Sequence, residues 1–516
     1  MKTNIIISLA LSTLFTTHIN AQPQNQLKPN WYNLDLKSDG VFGISINKAY
    51  QELLKNKNST KVTVAVIDGG LDITHEDLKN VIWKNLKEIS GNGKDDDKNG
   101  YIDDVNGWNF LGSAKESYEY DNDEIVRDIR KYNKKFSQMD SAVIDQKELP
   151  DYRLYQSKKN ELKSKLDKIN AEIYSSTVFL KDVDAIQKKI GKDSLNANDF
   201  KNFIPSNEAE VRAQNFMVQV LKRNSDYRSF MAETRARLED NQIRLNYRLN
   251  LNYDPRAKYA SEYALARGKF YGNNNVYGPV PPAHGTHSAG IIGAERNNNI
   301  GIDGVANNVA IMPIRAIPVG NGLERDQANA ILYAADNGAK VINLSFIFSI
   351  SSDHKELRAA INYALSKDII FIQAAGNAHE DLDLISVFPN VNDAKDQSIN
   401  NAFIKVGASG YINNKDLVVP FSNYGKQNVD VFAPGLDIYS TIPGNKYENH
   451  SGTSMAGPVV AGLAAVIRAY YPKLTAQQVK RIIVGSVIKT DFLTEKCSSE
   501  GVVNAYRAIE LADSYH

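Results

Sequence analysis

Five short, almost uninterrupted apolar runs constrain this chain more than any other feature: Val62–Ile67, Ile311–Ile314, Val341–Leu344, Ile369–Ile372 and Phe403–Val406. A strand with one wet face alternates apolar and polar residues. A strand without alternation is covered on both faces, as in a parallel sheet sandwiched between helices. Helix-period patterns, such as Asp326–Asn337 and Glu356–Leu365, lie between the runs, and Thr475 with Gln478 reads as a capping box opening a later helix. The alternation predicts an α/β fold with a doubly wound, mostly parallel sheet.

Residues 113–272 break this rhythm. Of the 32 glycines in the chain, only Gly191, Gly268 and Gly272 fall there. Leu162, Leu166, Ile169, Ile173, Leu180, Val183 and Ile190 follow steps of four and three, with Ser176 and Gln187 in the missing seam positions. That is a heptad-like stripe on a charged helix. A second helical stretch opens near Asn207, with Glu210 as a candidate capping partner, and runs through Val211, Phe216, Val220 and Leu221 toward Leu249. Pro150, Pro205 and Pro255 mark turns or boundaries. The segment reads as a helical hairpin or small bundle inserted into the α/β fold.

At the N-terminus, Lys2 precedes an apolar run from Ile5 to Phe15, and small or polar residues lead to Ala21-Gln22-Pro23. This is the pattern of a secretory signal peptide over residues 1–21, too short for a stable bilayer anchor. The expected layout is then leader 1–21, main domain 22–112, insertion 113–272 and main domain 273–516. The expected location is exported, periplasmic or extracellular, with no integral membrane segment in the mature chain. Cys497 is the single cysteine, so the fold carries no internal disulfide. Lys+Arg 61 against Asp+Glu 60 gives a charge of +1, which offers no basis for binding nucleic acid or an anionic membrane.

Three peptides carry chemistry: Val64–Asp77 (VAVIDGGLDITHED), Ala283–Gly290 (AHGTHSAG) and His450–Gly457 (HSGTSMAG). Asp68 ends a buried strand, His284 can act as a base, and Ser454 stands just before an apolar helix. A serine is a weak nucleophile until a base takes its proton, and a carboxylate holds that base in the right tautomer. In this order the three peptides resemble the subtilisin-like serine peptidase family. The resemblance covers most of residues 31–112 and 273–512. It implies a serine endopeptidase with Asp68, His284 and Ser454 as its triad, acting on protein or peptide substrates. It also makes His287 a structural neighbour of the base, Asn377 in Ala374-Ala375-Gly376-Asn377 the oxyanion side chain, and Ser345, Ala375 and Gly376 substrate-binding positions.

Two residues depart from the family pattern. Gly69 stands where Ser or Thr usually follows the aspartate, removing a hydrogen bond to its carboxylate. Ile347, in Ser345-Phe346-Ile347-Phe348, replaces a glycine on the edge that pairs with extended substrate and walls the specificity pocket. Calcium is the expected cofactor. Asp77 and Asn298 match family calcium positions, and Asp95, Asp97, Asn99 and Gly100 resemble the start of an EF-hand-like loop continued by Tyr101 and Asp103. Asn106 stands where a bidentate Glu belongs, and the alternative is an acidic solvated turn.

Another class competes: a catalytically weak version of the fold, secreted as a binding or scaffold protein, with the insertion as its interaction surface. A lipase reading fails because the serine peptide is Gly-Thr-Ser-Met-Ala, not G-x-S-x-G. The mature chain is expected to begin near Gln22. More than two hundred residues separate Asp68 from His284, so the ends of the insertion are expected to meet near the cleft. The arm then either restricts access to the substrate groove or is an appendage without catalytic effect.

Overall fold

The apolar runs become strands that outgrow their apolar centres, and shorter strands join them. In chain order they are β1 (Val62–Asp68), β2 (Trp108–Asn109), β3 (Val309–Arg315), β4 (Val341–Leu344), β5 (Ile370–Ala374), β6 (Phe403–Ser409), β7 (Val431–Pro434), β8 (Ile438–Ile442), β9 (Lys446–His450), β10 (Ile488–Lys489) and β11 (Gly501–Val502). They belong to a computed structural model that describes residues 27–139, 144–223, 226–265, 270–348 and 354–515. The expected leader, residues 1–21, lies outside the described residues.

Nine strands make one sheet in the order β10-β11-β7-β6-β5-β4-β1-β3-β2. Every neighbouring pair is parallel except β10 with β11. β1 and β3–β7 are buried along nearly their whole length, which is why their sequences do not alternate. The antiparallel β8–β9 hairpin escapes an apolar-run reading because β9 is Lys-Tyr-Glu-Asn-His and largely solvated.

Contacts divide the chain into two compact units. The first holds Met1–Ser117, Glu262–Ile317 and Leu323–His516, and the second holds Tyr118–Ser261 and Pro318–Gly322. Within the first, a helix from Thr453 to Tyr470 packs across β4–β7. Apolar enough on composition to cross a membrane, it has 89% of its length buried inside this fold, as a core helix does. The helix Ala476–Gly485 opens on the expected capping box: Gln478 N–H donates to Thr475 Oγ1, and Thr475 N–H donates to Gln478 Oε1.

The second unit is helical and has its own cores. Its spine is the 42-residue helix Leu149–Ile190. The stripe read from sequence faces inward, with Leu162, Ile169, Leu180 and Val183 buried, but it feeds two separate clusters. Tyr155, Leu162 and Ile169 pack on Ile125, Val126, Ile129, Phe136 and Leu249. Beyond Ser176, Leu180, Val183 and Ile186 pack on Phe200, Ala213, Met217, Tyr227 and Met231. The stretch from Asn207 toward Leu249 is divided into Glu208–Lys222, Tyr227–Ile243 and a short π-helix Arg244–Arg248. Asn207 caps its helix through the Glu210 N–H, whereas the Glu210 carboxylate turns to Ser206 and Lys189, so the box is only half formed.

Candidate active site

A parallel sheet brings the carboxyl ends of its strands to one edge, and β5, β4 and β1 are consecutive there. β1 ends on Asp68, β4 is followed at once by Ser345, and Asn377 stands three residues beyond β5. Topology alone therefore lines up three of the expected positions.

Asp68 is buried, and its carboxylate accepts from the Gly69 N–H at 2.7 Å. This backbone bond is one that any non-proline residue at position 69 would supply. Arg315, opposite Asp68 on β3, donates Nε–H to the Gly69 carbonyl at 2.8 Å and fixes that peptide. His284 Nδ1 lies 2.9 Å from both Asp68 oxygens. It sits on the helix Ala283–Gly293, which lies tight against the loop after β1: a Cβ on Gly285 would come within 2.0 Å of the Gly70 carbonyl. Thr286 Oγ1 accepts from the Asp72 N–H and donates to the Pro282 carbonyl, tying loop to helix. The Asp68 charge raises the His284 pKa above the usual imidazole range, against the opposing effect of burial.

His287, one turn further on, has a different role. Its Nε2 meets the Glu448 carbonyl at 3.1 Å, and its ring stacks on His450 with centroids 4.3 Å apart. Burial, helped by the charge of His450, holds its pKa down to about 3. It stays neutral where His284 titrates.

Ser454 is in the first turn of the Thr453–Tyr470 helix, where backbone N–H groups have no intrahelical acceptor. Thr453 N–H and Oγ1 both bond to Asn377 Oδ1, at 2.9 Å each. That fixes the side chain of Asn377 and leaves Nδ2 without an acceptor among the described residues. Ser454 Oγ donates to the Ser345 carbonyl at 3.0 Å, and no hydrogen bond joins Ser454 to His284. Pro458, inside the helix, has no N–H to return to the Ser454 carbonyl. Ser345 Oγ donates to that carbonyl instead, at 3.0 Å, while accepting from Asn343 Nδ2 and touching Ser288 on the His284 helix at 3.3 Å. Asn343, Ser288 and Pro458 were not singled out from sequence. Only Pro458 left a signal there, a proline four residues after the expected nucleophile.

Ala375 and Gly376 flank this geometry with their polar groups already spent. Ala375 N–H bonds to Val406 and its carbonyl to Asn423 Nδ2. Gly376 N–H bonds to Thr453 Oγ1 and its carbonyl to the Asn423 N–H. What they present outward is shape.

The expected calcium residues fall in two places. Asp77 is buried, and burial raises its pKa against bonds from Ile302 N–H, Asn298 Nδ2 and the Tyr447 hydroxyl. Asn298 Oδ1 accepts from Ile300 N–H. In the acidic loop, oxygens of Asp95 and Asp97 converge with one of Glu88, all within 4.8 Å of one another. Among the described residues no basic side chain pairs with any of the three. Asn99 points elsewhere, accepting from Tyr101 N–H and donating to Asp104, while Asp103 caps the Gly91 and Gly93 amides. Glu88 lies seven residues before Asp95 and outside any EF-hand spacing, so the motif reading passed over it.

The Subtilase family model matches residues 59–507. The chain belongs to the subtilase family. Over 196 residues it is 44% identical to a thermophilic serine proteinase of Bacillus sp. (strain AK1), a match covering 38% of this chain and 45% of that protein. It is 39% identical to thermitase of Thermoactinomyces vulgaris, covering 44% and 75%, and 35% identical to subtilisin DY of Bacillus licheniformis, covering 43% and 76%. This subtilase thus spans under half the length of the first of these relatives. The family is one of serine proteases.

Proposed function

We propose that the chain is an exported serine endopeptidase that cleaves peptide bonds through an acyl-enzyme formed on Ser454. One observation carries the reading: the fold pairs His284 with Asp68, starts a helix at the Ser454 peptide, and fixes Asn377 there through Oδ1 with no acceptor for its Nδ2 among the described residues. Ser454 Oγ leaves the Ser345 carbonyl by rotation about χ1 and attacks the substrate carbonyl carbon. His284 Nε2 takes the hydroxyl proton and passes it to the departing amine, while Asp68 stabilises the imidazolium. The tetrahedral oxyanion accepts from Ser454 N–H and Asn377 Nδ2. Water then repeats the cycle on the ester, with His284 as base, and releases the acid. Export is supported by the basic start and apolar run at Lys2–Phe15.

Calcium fits the acidic loop, where Glu88, Asp95 and Asp97 would hold it and it would offset their mutual repulsion. It is a structural ion in this reading and takes no part in the chemistry.

The second reading, a catalytically weak scaffold protein, has one observation on its side: the absence of a Ser454–His284 bond. A serine-directed fluorophosphonate separates the two. Labelling that disappears in Ser454→Ala, together with hydrolysis of denatured casein, supports the peptidase. No labelling of the folded protein rejects it.

A further inference from the structure

The peptidase reading leaves open which residue the enzyme cleaves after, and the inference below rests on that reading. In the order β5-β4-β1, the base lies on the β1 side, the nucleophile over the end of β4 and the oxyanion side chain beyond β5. A substrate carbonyl at Ser454 therefore turns its oxygen toward Asn377 and its leaving nitrogen toward His284. Its remaining substituent, the α-carbon with its side chain, has to lie over the crevice between residues 345–348 and residues 375–377.

One wall of that crevice is bare backbone. Gly376 has φ +104°, and a Cβ there would fall 2.5 Å from Asn423 Nδ2, so glycine is required. The other wall carries Ile347. Phe348 is 4% exposed and anchored against Phe388 and Phe346, with centroids 5.6 and 5.5 Å apart. Alternation along the segment then turns Ile347, 52% exposed, to the opposite side. Its Cγ2 lies 3.5 Å from the point a Cβ on Gly376 would occupy. The branched side chain thus reaches across the crevice to the bare wall.

We propose that Ile347 sets the substrate class of this site: it fills the crevice, so the enzyme cleaves after glycine, alanine or serine and discriminates against phenylalanine, tyrosine and leucine. Placing a ring where Ile347 already stands forces a side chain or backbone out of position, and overpacking of this kind costs a factor of about 10–100.

The test uses the full-length protein and peptide p-nitroanilides that differ only in the residue before the nitroanilide. Wild type should favour alanine over phenylalanine by about 10–100-fold in kcat/KM. Ile347→Gly should raise the phenylalanine-to-alanine ratio by a similar factor, and Ile347→Ala by an intermediate one, which guards against a misfolded glycine variant. Wild type that cleaves after phenylalanine as readily as after alanine overturns the proposal, as does an unchanged ratio in both variants. Failure of the peptidase reading looks different: no substrate is cleaved and no fluorophosphonate label is taken up.

Discussion

Ser454 Oγ is the one atom whose removal tests the chemistry without disturbing the fold. Ser454→Ala keeps the helix, because alanine is a strong helix former, and leaves the Ser345–Ser454 carbonyl bond in place. Peptide hydrolysis should fall by at least about a thousandfold with an unchanged melting temperature; near-normal activity on casein would remove Ser454 from the mechanism. Asn377→Ala should lower kcat by about 10²–10³ with KM nearly kept, a magnitude taken from an oxyanion asparagine in a subtilisin and not from this geometry. At His284 the sign is set by Asp68. Its charge raises the imidazole pKa, so the neutral base, and with it kcat/KM, is lost as pH falls through a value above the ordinary 6.5. In Asp68→Asn, NMR titration of His284 should show its midpoint moved to lower pH. A midpoint that stays put would mean that Asp68 does not tune the base.

Elements carry effects that no single catalytic atom explains. The His284 helix is held to the β8–β9 hairpin through His287, Glu448 and His450. His287 titrates near 3 in the fold, against an ordinary 6.5 once unfolded. Between those values the unfolded chain binds a proton that the folded chain refuses, so stability rises with pH across that window and falls on acidification. The loss is on the order of a few kcal/mol toward pH 3. Melting curves between pH 7 and 4 should show it, and His287→Gln should flatten the slope; an identical slope would place the acid sensitivity elsewhere. The loop from Glu88 to Asp97 supplies a second test. A chelator should lower the melting temperature by on the order of 5 °C, and Glu88→Gln should blunt that response. A melting temperature indifferent to both calcium and chelator would leave the loop as a solvated acidic turn.

At the scale of the molecule, the helical unit is the part whose independence can be measured. Its two apolar clusters are built from residues within 118–261, and its long helix is common to both. Residues 118–261 expressed alone should therefore give a helical circular dichroism spectrum and a cooperative melt. A random-coil spectrum would mean that the clusters do not suffice to fold it. The sequence announced this unit through scarce glycines and a stripe of three- and four-residue steps, because helical periodicity is a local property. It did not announce that the stripe serves two cores, since Ser176 reads as a lapse in one seam until the partners on either side of it are known.

Five of the nine described strands of the sheet and its mostly parallel character were legible in the sequence, which also named Asp68, His284, Ser454 and Asn377 as expected site residues. Burial on both faces writes itself as unbroken apolar runs, and the expected site residues sit in short contiguous peptides. Tertiary structure decided what depends on residues far apart in the chain. Only the fold brings Glu88 to Asp95 and Asp97 and pairs Asn298 with Asp77. The same holds for Ser345, whose hydroxyl reaches the carbonyl that Pro458 leaves open 109 residues away. A one-dimensional pattern records a residue's own neighbours, whereas a hydrogen bond between strand end and helix start exists only once the sheet has set the two side by side.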